Sequence, residues 1–171
     1  MADYWAINNS VSKTFWIFFA IAIVAAAIVA GMIWEGTKGA HLELDGKILH
    51  VRTLALNPKA TIVIVDFRET NPSDVKFMVK DVQMTLEGVD TDPGQIVPKA
   101  DLATLFEYEK LLGPKFNDAL SPGDTVAPHQ TLDRMVGARF EVSEAVVQSR
   151  KAVHLKFFDL DRAVAELTEE K

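Results

Sequence analysis

The chain contains no cysteine. Disulfide frameworks, thiolate zinc sites and dithiol redox chemistry are therefore excluded. The compartment stays open, because a cysteine-free domain folds in oxidising and reducing surroundings alike. Histidine is scarce. His41, His50, His129 and His154 are the whole set, and no two stand at a spacing, such as i,i+4 on a helix, that brings both rings to one metal. No metal site is expected. The chain has no Gly-x-Ser-x-Gly elbow, no glycine-rich phosphate loop and no dinucleotide fingerprint. The usual marks of serine hydrolases and nucleotide enzymes are thus missing, and no catalytic or cofactor-binding residue is assigned. Positive charge is also short, with 18 Lys and Arg against 24 Asp and Glu. A nucleic-acid partner needs a basic face, and so does a domain lying flat on anionic lipid. Neither is expected. No low-complexity tract or repeat period points to a solenoid.

Charge disappears altogether in one stretch. Thr14 to Trp34 reads TFWIFFAIAIVAAAIVAGMIW. As a helix rising about 1.5 Å per residue, it would span roughly 30 Å, the thickness of a bilayer's hydrocarbon core. Trp16 and Trp34 stand near its ends, and Tyr4 and Trp5 precede it; such rings favour the membrane interface. A cleavable signal has an apolar core of about 7–15 residues and ends in small residues. This run is longer and ends in Met32-Ile33-Trp34, so a permanent single-pass transmembrane helix is expected. Residues 1–13 form a tail, 35–40 a Gly-containing tether and 41–171 one extramembrane domain. Lys13 on one side and Lys38 and Lys47 on the other nearly balance. A short tail before an uncleaved anchor is expected to stay cytoplasmic. That places the domain in the periplasm, at a bacterial inner membrane.

The anchor carries a packing pattern. Ala22, Ala26 and Ala30 recur every four residues, and Ala27 with Gly31 makes a second small pair. Small residues at this spacing let helix backbones approach closely inside a membrane. Another integral-membrane subunit is the expected neighbour. Phe15, Phe18 and Phe19 cluster near the start, where they could meet lipid, a pigment or a quinone.

Beyond the tether, the pattern is β. Leu42 to Leu44 and Ile48 to Leu54 are expected to form a hairpin about Asp45-Gly46. Thr61 to Phe67, TIVIVDF, is expected to be a buried central strand. Asn71-Pro72-Ser73-Asp74 has turn chemistry. Val75 to Leu86 alternates in two phases, with a bulge expected at Lys80-Asp81. Gly88 to Pro98 is loop-like. Leu102, Leu105, Phe106 and Leu112 fall on one helical stripe, stopped by Gly113-Pro114. Ser121 to Asp124 is another turn. Thr131 to Val142 looks like a strand broken at Gly137, and Ser143 is placed to cap a short helix through Gln148. Val153 to Phe158 and Ala163 to Leu167 close the chain around Asp159-Leu160-Asp161, a hairpin turn more readily than a calcium loop. Asp66 and Glu69 flank the end of the buried strand. A carboxylate pair is conceivable there, although the polar end of a strand is the commoner meaning. The fold class expected is an all-β sandwich with an inserted short helix, preceded by one transmembrane α-helix.

The buried strand, Asn71-Pro72, the long strand ending in Leu86-Glu87-Gly88, and Ser121-Pro122-Gly123 before a later strand carry a resemblance. Over residues 40–168 the chain resembles the late-embryogenesis-abundant type 14 and water-stress-hypersensitivity domain family. The resemblance implies an immunoglobulin-like or fibronectin-type-III-like sandwich, frequent membrane anchoring in bacteria, and a binding or structural role without a catalytic site. The function expected is that of a non-catalytic accessory subunit of an inner-membrane complex, photosynthetic or respiratory. A free-standing stress-related envelope protein, or a module for small ligands or lipids, is the alternative.

Overall fold

The computed structural model describes residues 13–37, 44–160 and 163–170, with helix side chains described for 15–32. The chain divides into two units, residues 1–40 and 41–171. The first holds helix α1, Lys13–Thr37. Its segment Phe15–Met32 has a mean hydropathy of 2.6 and is long and apolar enough to cross a membrane, with none of it buried in the fold. The helix continues past Trp34, so Glu35, Gly36 and Thr37 are helical rather than tether. The rest of that tether, 38–40, lies outside the described residues.

The second unit is built from two mostly antiparallel sheets. In chain order its elements are β1 (Asp45–Asn57), β2 (Ala60–Thr70), β3 (Phe77–Glu87), β4 (Gln95–Ile96), α2 (Lys99–Tyr108), a 3-10 turn (Lys110–Leu112), β5 (Asp118–Ala119), β6 (Thr125–Val126), β7 (Thr131–Phe140), α3 (Glu144–Gln148), β8 (Ala152–Asp159) and β9 (Val164–Glu170). One sheet runs β1-β2-β7-β4, with β5 joining β7 in parallel. The other runs β6-β3-β8-β9.

β2 lies between β1 and β7, as its β-branched sequence requires. Its alternate residues serve two cores. Val63, Val65 and Phe67 join the main cluster with Phe77, Met84, Phe140 and Phe157. Ile62 and Ile64 join a second cluster with Leu102, Leu112, Ala119 and Met135. A strand buried on both faces loses polar alternation, hence TIVIV. The two phases of β3 also have their cause, because its register against β8 shifts between Val79 and Asp81. Val75, the first residue of the expected strand, precedes β3 and is exposed, unlike the buried Phe77 and Val79. In the Asn71 turn, the Ser73 amide donates to Asn71 Oδ1 at 3.0 Å.

Two glycine readings are corrected. Asp45-Gly46 is not a hairpin turn, since β1 begins at Asp45 and pairs Asp45 with Thr70 and Gly46 with Glu69; Leu42 and Glu43 of the expected first arm lie outside the described residues. A Cβ on Gly46 would collide with the Arg68 carbonyl oxygen, so glycine is there for close backbone approach. The turn between β1 and β2 is at Pro58-Lys59, where the Lys59 amide donates to Asn57 Oδ1 at 2.8 Å. Nor does Gly137 break β7, which pairs continuously with β2 from Thr131 to Phe140. A Cβ there would meet Leu102 Cδ2 at 2.5 Å, so this glycine seats α2 on the sheet. Ser143 precedes α3 as expected but makes no side-chain cap.

Candidate interaction site

Residues 99–119 form an excursion on the outer face of the first sheet. Leu102 and Leu112 are buried against Ile62, Ile64 and Met135, with Leu105 and Phe106 partly buried beside them. Leu102, Leu105 and Phe106 lie on the expected helical stripe; the helix ends at Tyr108 rather than at Gly113-Pro114, and Leu112 belongs to the 3-10 turn that follows. Burying one stripe of a helix leaves the remaining residues facing outwards. Gly113, at φ 72°, adopts the left-handed conformation that turns the chain back.

Arg52 of β1 holds the excursion in place. Its Nη2 donates to Asp66 Oδ2 at 2.6 Å, and its Nη1 donates to the carbonyls of Leu112 and Pro114, both at 2.9 Å. The guanidinium lies 4.8 Å from the Phe106 ring centroid and 5.1 Å from that of Phe116. Asp66 is fully buried, and Asn117 Nδ2 donates to its other oxygen at 2.9 Å. Lysine could not supply two donors and two ring contacts in this planar arrangement. The sequence alone gave no role to Arg52 or Asn117. The one available signal was a charged residue, Asp66, following an apolar run.

The excursion presents apolar surface. Leu111 is 90 % exposed, Tyr108 73 % and Phe116 57 %. Phe116 also lies 5.7 Å from the His50 ring. Such side chains on a pinned rather than a loose segment have little ordering entropy left to lose on binding. At the start of α2 is a groove of about 290 Å³, lined by Ile62, Ile96, Pro98 and Leu105 with Asp101 and Arg139.

Asp66 and Glu69 do not form a pair. Asp66 shares its face of β2 with Ile64, and Glu69 shares the opposite face with Phe67. Glu69 is fully buried, and among the described residues neither of its carboxylate oxygens has a hydrogen-bond partner. Burial pushes its pKa up to about 7; Arg134 opposes this and Asp124 adds to it. Arg68 points outwards and binds Asp133 through both oxygens, at 2.6 and 2.8 Å, and these hydrogen bonds hold Asp133 below the ordinary carboxylate range.

No group of three metal-ligating side chains is found among the described residues. His154 lies between Glu87 and Glu166, and His129 beside Asp74. His41 and Asp161 lie outside the described residues. Asp159 is buried and accepts the Met78 amide at 2.8 Å, which ties β8 to β3 at the hairpin end.

On α1, Phe15 and Phe19 stack with centroids 6.1 Å apart, and Trp16 meets both rings edge-on. At about 100° per residue, Ala22, Ala26 and Ala30 continue the face of Phe15 and Phe19 to within about 60°. Ala27 and Gly31 lie farther round. One face is thus bulky in its first half and narrow in its second. Tyr4, Trp5 and the Trp34 side chain lie outside the described residues. No family model, curated protein or solved structure matches the chain.

Proposed function

We propose that this chain is a non-catalytic accessory subunit, anchored by α1, that holds integral-membrane neighbours together. The observation that carries the reading is the exposed Tyr108, Leu111 and Phe116 on an excursion pinned by the Arg52–Asp66 pair. Aromatic anchors such as Tyr108 carry much of the binding energy at protein interfaces, and Leu111 and Phe116 extend the apolar surface around it. Inside the membrane, Ala22, Ala26, Ala27, Ala30 and Gly31 give a second contact, with Phe15, Phe18 and Phe19 toward lipid, pigment or quinone. The reading takes the two-sheet domain as an immunoglobulin-like sandwich, related to the water-stress-hypersensitivity domains. It puts the domain on the periplasmic side of a bacterial inner membrane, beside a photosynthetic or respiratory complex.

The groove of about 290 Å³ favours a second reading, a module for small apolar ligands. It lies under α2 and not between the sheets. The two readings separate in one experiment on the full chain, tagged at its C-terminus and purified in mild detergent. Leu111→Glu and the double change Ala26→Leu/Ala30→Leu are each expected to reduce co-purifying membrane proteins by about tenfold or more. Unchanged recovery with both variants would refute the accessory role. A protein that purifies alone with bound lipid would support the ligand reading.

A further inference from the structure

We propose that Glu69 is a proton-operated latch at the end of the domain where the chain enters through Leu44. Glu69 follows Phe67 on the inner face of β2 and stands opposite Gly46 of β1 and Leu132 of β7. Gly46 offers no side chain. Two residues earlier, Leu44 is buried in the main core and is the first described residue of the domain. Among the described residues, neither buried oxygen of Glu69 has a hydrogen-bond partner. A buried carboxylate with no donor is costly, whereas the neutral acid is tolerated much more readily.

Among the described residues, the charged groups around Glu69 are few. From β7, Arg134 attracts the anion, but no hydrogen bond joins them. From the turn before β6, Asp124 repels it while accepting the Ser121 amide at 2.9 Å. At the same end of β8, Asp159 is committed to the Met78 amide. Leu44, Gly46 and Ile48 of β1, and Phe77 and Val79 of β3, bring no charge. Arg68, next in β2, is bound to Asp133. Arg134 is half-buried, and in the latch an ionised Glu69 gains it and water as partners when the end of the sandwich opens.

The sign follows from linkage. The folded pKa lies near 7 against an ordinary 4.5, so the folded state retains a proton that the unfolded chain loses. This group's contribution is fully present below about 4.5 and lost as pH rises through about 7. Between about 4.5 and 7 the closed end is favoured less by about tenfold per pH unit, and above about 7 the loss levels off.

Amide exchange of the full chain in detergent, corrected for the intrinsic pH dependence, tests the proposal. Residues 44–48 and 121–126 are expected to open about tenfold more at pH 6.5 than at pH 5.5, with little further change above about pH 7. Glu69→Gln should abolish that difference. Arg134→Gln should move its midpoint to higher pH. Equal profiles for wild type and Glu69→Gln would overturn the latch. If Glu69→Gln does not fold, the carboxyl carbon of Glu69 can be titrated by NMR in the wild type. A midpoint near 7 with concerted shifts at Leu44 and Asp124 supports the latch, and a midpoint at ordinary carboxylate values overturns it.

Discussion

Arg52→Ala is expected to lower the stability of the domain by about 3–5 kcal/mol, the usual cost of stranding one partner of a buried ion pair. Asp66 would keep only Asn117 as a donor inside a fully buried site. The same change frees the Leu112 and Pro114 carbonyls and removes a cation from between Phe106 and Phe116. The loss should therefore be local first. Residues 99–119 should become protease-sensitive below the global melting temperature, and partner recovery should fall with them. Arg52→Lys should be intermediate, since one ammonium cannot replace the fork. Thermal unfolding followed by far-UV circular dichroism measures the global part. Tryptophan fluorescence does not, because Trp5, Trp16 and Trp34 all precede the domain. Stability within about 1 kcal/mol of wild type would mean that the pair does not hold the excursion.

Phe67→Ala should cost a similar amount, about 3–5 kcal/mol, by a different route. Phe67 is fully buried on the central strand, with its ring 5.1 Å from that of Phe157. Truncation leaves a cavity where the two sheets meet, and close packing gives the neighbours little freedom to fill it. The cavity also lies next to Glu69 on the same face. Water admitted there would ease ionisation of the carboxyl and bring its pKa down towards the ordinary range. The effects of Phe67→Ala and Glu69→Gln above pH 7 should thus be non-additive, as for residues sharing one environment. Urea titrations of the two single variants and the double variant at pH 6 and pH 8 measure the coupling. Strict additivity at pH 8 would separate the core from the latch.

What could be foreseen from the sequence followed from the reach of each signal. Thr61 to Phe67 announced a central strand because burial on both faces leaves a continuous β-branched run. Leu102, Leu105 and Phe106 announced a helix because one buried face imposes its own period; Leu112 misled about its end, because a 3-10 turn beyond Tyr108 buries it against the same core. The shift at Lys80-Asp81 was visible because a bulge changes the phase of alternation. Gly46 and Gly137 misled because their cause lies in another element: Arg68 approaches one and Leu102 packs on the other. Local turn chemistry cannot register that. Arg52 was silent for the same reason, since its partners stand 14, 60 and 62 residues away. The separation of Asp66 from Glu69 was in principle available. Three residues along a strand put two side chains on opposite faces, which argues against a shared carboxylate site.

The most direct measurement is the composition of the native assembly. Membranes would be solubilised in mild detergent, the full chain captured by a tag after Lys171, and co-purifying proteins quantified by mass spectrometry. An accessory subunit predicts a fixed, stoichiometric set of other membrane proteins, retained with the wild type and depleted with Leu111→Glu. Recovery of the chain by itself, with the same result for both forms, would contradict the account.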